Sequence, residues 1–189
     1  MKVSKRGEYA LRALINLGIA HKVGRKLVQV SELAKAEDIP KKFLEQVIQQ
    51  LREAGFVASV RGKHGGYGLA VAADKIVIGN VIRLIDGPLA PIGCVSQSAY
   101  EPCNCPDEAH CGLRMLMLDV RNAIAAILDR YTLADVVDVT TRKMHVDGIQ
   151  IPFTGKVVNV VTKTKSKKRS KMLRPTDGII HQLLGDYAI

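Results

Sequence analysis

The sequence predicts a mainly α fold with a small β-hairpin wing: a winged helix–turn–helix joined to a long dimerisation helix. Three observations predict it. Two amphipathic helical stretches flank a shorter one near the start of the chain. A basic, glycine-rich turn, RGKHGG, follows the third stretch and separates two short β-prone runs. Further on, apolar residues recur at helical spacing from residue 113 to residue 128 with no helix breaker between them. The expected organisation is a DNA-binding domain at 1–75, a cysteine-rich sensor loop and dimerisation helix at 76–139, and a basic, partly disordered extension at 140–189.

Ser4 can cap the first helix, in which Leu11, Leu14, Ile15 and Gly18 fall at i, i+3, i+4 and i+7 and so share a face. Glu8 lies in its first turn, where a carboxylate suits the helix dipole. Gly24 and the KVGRK cluster end it. Ser31 is the expected cap of a short second helix, SELAKAE. Pro40 suits the first position of a third, PKKFLEQVIQQLREAG. There Leu44, Val47, Ile48 and Leu51 form the inner face, and Gly55 suits the residue just past the end. Lys41, Lys42, Glu45, Gln46 and Gln49 lie off that stripe. Two cations for phosphates, with Glu and Gln for base edges, form a suitable major-groove surface.

FVASV and YGLA then read as paired strands, with Arg61, Lys63 and His64 at the tip and Gly62, Gly65 and Gly66 permitting tight backbone. Such a wing places Arg61 to enter a minor groove while the third helix occupies the major groove. KIVIGNVIRLIDGPL reads as a helix ended by Gly87 and Pro88. The long helix follows, with Leu113, Leu116, Met117, Val120, Ile124, Ile127 and Leu128 at helical period, a face that suits a partner helix. Thr132 and Asp135 resemble a capping arrangement for a last short turn of helix. Beyond residue 140, VVNVV suggests a strand, KTKSKKRSK a basic linker and GIIHQLLGDY a terminal helix.

Charge is uneven. Residues 1–90 carry net +7, residues 91–139 net −4, and residues 140–189 net +7, for +10 over the 189 residues. A basic front fits a nucleic-acid partner and an acidic middle fits sensing or docking. At 47% hydrophobic and 24% charged, the chain suits a packed domain, and no apolar run reaches the length of a membrane span. The opening MKVSKRGEYALRAL places Arg and Glu too early for a secretory core, so a cytoplasmic protein is expected. No P-loop, GxGxxG, paired catalytic carboxylates or Ser–His–Asp order appears, and His21, His145 and His181 are scattered. An enzyme is not expected.

All four cysteines, Cys94, Cys103, Cys105 and Cys111, fall in one stretch, spaced C-x8-C-x-C-x5-C among Pro, Asn, acidic residues and Gly. In a cytosolic chain such a cluster points to a metal or redox site rather than a disulfide framework. Thiolates are soft ligands that suit iron–sulfur clusters and zinc. A structural zinc site and free thiols that sense oxidants are the competing readings.

With KRGEYALRAL, IPKKFLEQVIQQLREAGFVASVRGKHGGYGLA and CNCPDEAHCGLRMLMLDVRNAIAAILDRYTLADV in view, residues 1–139 resemble the IscR, NsrR and CymR family of bacterial winged-helix regulators. The resemblance does not reach the tail. It implies a homodimer on a near-palindromic double-stranded operator, with Glu45 and Gln46 at base-reading positions and Arg61 as the wing arginine. In the cluster-binding branch, three cysteines, usually C-x5-C-x5-C, hold a 2Fe–2S or 4Fe–4S cluster, and a histidine or carboxylate completes the set. Cys105 and Cys111 match the second half of that pattern. Cys94 matches the first cysteine across ten residues, and Cys103 is extra. Arg114 replaces the histidine of some members. Glu8 stands where others place a carboxylate donated by the opposite protomer. The implied ligands are Cys94, Cys105, Cys111 and Glu8, with Cys103 or His110 as alternative fourth ligands and 2Fe–2S favoured. Some relatives hold no cluster and are controlled by a metabolic enzyme, so such a partner is a further reading.

Overall fold

The computed structural model describes residues 2–154. The expected strand VVNVV, basic run and terminal helix lie outside the described residues. Six helices and one hairpin follow in the order α1 (Lys5–Lys22), α2 (Val30–Glu37), α3 (Lys41–Glu53), β1 (Val57–Val60), β2 (Gly66–Leu69), α4 (Ile78–Asp86), α5 (Gly112–Arg130) and α6 (Leu133–Val146). The fold is a winged helix–turn–helix extended by three more helices.

α1 is the central element and packs on α2, α3, α4, α6 and β2. Its inner face is apolar and close to fully buried at Ala10, Ala13, Leu14 and Leu17. Leu33 of α2, Leu44, Val47, Ile48 and Leu51 of α3, Val57 of β1 and Leu133 of α6 complete the core. Ser4 does cap α1: its Oγ accepts from Gly7 N at 3.0 Å. Asp86, at the end of α4, in turn accepts from Ser4 N at 2.9 Å. Gly7 permits this approach, because a Cβ there would stand 2.4 Å from Asp86 Oδ2.

The second helix starts one residue earlier than expected. Val30 opens it, Gln29 flanks it without a side-chain bond, and Ser31 sits inside it rather than capping it. Pro40 likewise stands just before α3, whose first residue is Lys41. Gly55 ends α3 at φ +79, a conformation that favours glycine.

The wing pairs Val57 with Leu69, Ala58 with Gly68, Ser59 with Tyr67 and Val60 with Gly66. Val28, from the α1–α2 connection, bridges the other edge of β2: Val28 N donates to Tyr67 O at 2.9 Å and Tyr67 N to Val28 O at 2.8 Å. The connection fits because β2 is glycine-rich. A Cβ at Gly68 would stand 2.3 Å from Lys26 O, and one at Gly66 would stand 2.7 Å from Val28 O.

The expected last short turn is instead a helix of 14 residues. Its capping box forms as the sequence suggested: Thr132 N donates to Asp135 Oδ2 at 2.9 Å, and Asp135 N donates to Thr132 Oγ1 at 3.3 Å. Leu133, Val137 and Thr141 then turn inward, and α6 lies along α1. The turn became a helix because its apolar stripe has α1 to bury against, a tertiary partner invisible in the local pattern.

α5 buries no residue fully. Its apolar stripe divides in two. Ile124, Ala125 and Leu128 pack on a small cluster of Ile78, Ile82, Leu89 and Tyr131. Leu113, Leu116, Val120 and Ile127 face solvent. Arg83 of α4 pins the helix through paired bonds to both carboxylate oxygens of Asp129 at 2.7 Å.

Candidate nucleic-acid interface and thiol cleft

The outer face of α3 carries the polar residues singled out in the sequence. Lys41, Lys42, Glu45, Gln46 and Gln49 are all exposed. Lys41 Nζ lies 3.7 Å from Glu45 Oε1, and Gln49 Nε2 donates to Glu53 Oε1 at 2.6 Å. Lys42 and Gln46 project alongside them. At the wing, Arg61, Lys63 and His64 are exposed, and Gly62 adopts φ +112 to make the turn. Gly65 is required by space, since a Cβ there would stand 2.1 Å from Val60 O.

A cleft of about 340 Å³ separates this wing from the helices. Lys41 and Arg52 line it from α3, Gln29 and Ser31 from the start of α2, and Ser59 and Arg61 from the hairpin. Gln29, Ser31, Arg52 and Ser59 were not singled out from the sequence. Arg52 was the most visible of them, because it falls on the helical face of Lys41, Glu45 and Gln49.

The four cysteines line a second cleft, of about 250 Å³, at the start of α5. A short 3-10 turn, Gly93–Val95, presents the buried Cys94, while Cys103 and Cys111 are half-buried and Cys105 is exposed. Thiol contacts run from Cys94 to Cys103, on to Cys105 and from there to Cys111. Burial, followed by the neighbouring Cys103, raises the pKa of Cys94. Cys105 is pushed up to about 11, chiefly by its bond with Cys103. Among the described residues, no three Cys, His, Asp or Glu side chains already stand in a metal-ligand arrangement. The donor set nonetheless suits an iron–sulfur cluster or zinc, because four soft ligands share one cleft.

The cleft has one cationic wall. Arg114 lines it and lies 3.0 Å from Glu108, and Glu108 accepts from the Tyr100 hydroxyl at 2.7 Å. That bond to a carboxylate raises the Tyr100 pKa. These three residues were also not read as site residues from the sequence. His110 turns away to Asp107, with Nδ1 2.7 Å from Oδ2. Glu8 does not line the cleft of its own chain. It sits in the first turn of α1 between Lys5 at 2.8 Å and Arg12 at 3.3 Å. Lys5, foremost, holds its carboxyl below the ordinary glutamate range.

The family profile described as Rrf2, iron-dependent transcriptional regulator, matches residues 3–139. The chain belongs to the Rrf2 family. It is 40% identical over 136 residues to an rrf2-like HTH-type transcriptional regulator of Rhodobacter capsulatus, covering 71% of this chain and 91% of that one. The structure of CymR, the global cysteine regulator of B. subtilis, superposes with a TM-score of 0.62 at 32% identity, covering 73% of this chain and 97% of that one. T. potens IscR superposes with a TM-score of 0.59 at 29% identity, over 76% and 90% of the two chains. These Rrf2 relatives are transcriptional regulators, and this chain shares their winged helix–turn–helix. Among its described residues, no helix is long and apolar enough to cross a membrane.

Proposed function

We propose that this Rrf2 regulator is a cytoplasmic homodimer that binds a near-palindromic operator and whose operator affinity is set by an iron–sulfur cluster in the cysteine cleft, with 2Fe–2S favoured over 4Fe–4S. One observation carries the reading: all four thiols line one cleft at the start of the helix with the exposed apolar seam. Sensor and dimer contact are therefore adjacent in the chain. Cys94, Cys105 and Cys111 would hold the cluster, with Glu8 of the opposite protomer or Cys103 completing the set. A bound cluster supplies a ligand-held charge that changes with its redox state. Arg114 offsets negative charge in the cleft, and Glu108 and Tyr100 hold that guanidinium in place. On the DNA face, Lys41 and Lys42 suit phosphates, Glu45, Gln46 and Gln49 suit base edges, and Arg61 with Lys63 and His64 suits the groove beside the wing.

The deciding test is the absorption and EPR spectrum of anaerobically purified protein, with iron, sulfide and zinc assayed on the same sample. Iron with matching sulfide supports the reading, and operator affinity is then compared across cluster states. Zinc, or no metal, sinks it.

A second reading has its own support. The thiols contact one another in sequence, which suits direct oxidation to disulfides in a cluster-free regulator. A structural zinc or a metabolic-enzyme partner at the acidic middle region would serve such a regulator equally.

A further inference from the structure

We infer that the cleft between the wing and the helices is a phosphodiester clamp, in which Arg52 and Ser59 act with Lys41 on the DNA backbone beside the groove that Arg61 enters. This rests on the DNA-binding reading above and adds a site to it. Three cations from two elements line the groove: Lys41 from the first turn of α3, Arg52 from its last, and Arg61 from the hairpin. No carboxylate lines the cleft. Its remaining polar side chains are Gln29, Ser31, Ser59 and Tyr67, whose amide and hydroxyl groups donate to phosphate oxygens as readily as they accept. Cations with short donors around an open groove match a phosphate better than an apolar or cationic ligand.

The cations are not consumed by internal pairs. Arg52 reaches Ser59 Oγ only at 3.5 Å, and Lys41 is held by Glu45 only loosely at 3.7 Å. A phosphate in the cleft draws Lys41 inward and frees the Glu45 carboxylate for base edges. Arg52 also sits where α3 faces β1, so one phosphate would tie the major-groove helix to the wing. A backbone contact adds affinity without sequence information.

The test uses the full chain and two fluorescent duplexes: a random-sequence duplex, and a site enriched by the wild-type protein from a random pool. Affinity is measured against salt by anisotropy. Arg52→Gln is expected to weaken both duplexes by a similar factor, on the order of tenfold, and to flatten the log–log salt slope by about one. Arg52→Lys restores the slope, and Ser59→Ala gives a smaller uniform loss. The enriched consensus stays the same for every variant. Thermal melting confirms that each variant is folded. If wild-type protein binds and a folded Arg52→Gln keeps its affinity and slope, the clamp is wrong while the DNA reading stands. If Arg52→Gln changes the consensus, the guanidinium reads bases and the phosphate assignment is wrong. If wild-type protein binds neither duplex, both readings fall.

Discussion

Arg12 of α1 donates from Nε to Glu37 Oε2 at 2.6 Å, across the interface between the first two helices. The pair is about two-thirds buried, and the bond that Arg12 donates to Glu37 is the main reason the Arg12 pKa is raised. Asn16, itself buried, bonds the other Glu37 oxygen, and the Arg12 guanidinium lies 5.5 Å above the Tyr9 ring. Arg12 thus joins Glu8, on its own helix, to the end of α2. Removing it leaves a half-buried carboxylate with one neutral partner. Arg12→Ala is expected to cost about 1–2 kcal/mol, between the values for exposed and buried pairs. Urea denaturation reads this as a lower midpoint at unchanged slope. A midpoint equal to wild type shows that the pair adds nothing net.

Gly18 makes a second prediction, about α6. A Cβ at this position would stand 2.6 Å from Val137 Cγ2, so the two helices are in contact only because the side chain is missing. Val137 is β-branched and cannot swing aside cheaply. Gly18→Leu is expected to lower stability by about 2–4 kcal/mol through overpacking. Val137→Ala should recover part of that loss in the double variant. If the two changes prove additive in thermal melting, the contact is not the cause.

Gly18 also marks how far the sequence could be read. Its place at i+7 from Leu11 put it on the inner face, and α1 does pack there. The α3 stripe from Leu44 to Leu51 was equally plain, because local period and burial coincide. α6 was missed beyond its capping box, since its stripe acquires meaning only beside α1. The dual role of α5 was hidden for the same reason: one continuous apolar run serves both the α4 cluster and the exposed seam. At the candidate sites, the residue types were legible but their meeting was not. Arg52 and Ser59 come together across the turn from α3 to β1, and Arg114 joins Glu108 across the loop. No linear spacing encodes either pairing.

On the proposed DNA face, the residues assigned to bases and grooves should separate from those assigned to phosphates. Gln46→Ala is expected to relax preference at one position of each half-site, at about 1–3 kcal/mol for the preferred base. Arg61→Ala is expected to weaken operator binding and lessen any preference for a narrow minor groove beside the half-site. Selection from a random duplex pool with each variant measures both effects. An unchanged consensus for both variants means that neither residue reads DNA.

The exposed seam of α5 predicts the assembly. Leu113, Leu116, Val120 and Ile127 follow the alternating three-and-four spacing by which paired helices interdigitate, and all four face solvent in the single chain. Leu116→Glu or Val120→Glu sets a charge in that seam without disturbing the face turned to α4. Each is expected to convert a dimer to a monomer in light scattering and to weaken a palindromic site far more than a half-site. A dimer that persists with both substitutions present has its interface elsewhere.

The thiol cleft should load metal more tightly as pH rises. Cys105 is pushed up to about 11 by Cys103, and burial raises Cys94, so both are protonated near neutrality. The ligating form is the thiolate, and loading must therefore release protons. Below the thiol pKa values, the logarithm of the apparent affinity is expected to rise by about one per pH unit for each cysteine that ligates. Zinc serves as a probe that needs no sulfide or reductant, with a chromophoric competitor read at two pH values on either side of neutrality. Cys105→Ser should remove about one proton from that slope if Cys105 ligates. Cys103→Ser should do the same only if Cys103, rather than a carboxylate, completes the set. The comparison counts the thiolates directly: a slope unchanged by Cys103→Ser leaves Glu8 of the opposite protomer and His110 as the fourth ligands to test, and a flat wild-type slope removes the cysteines from metal binding altogether.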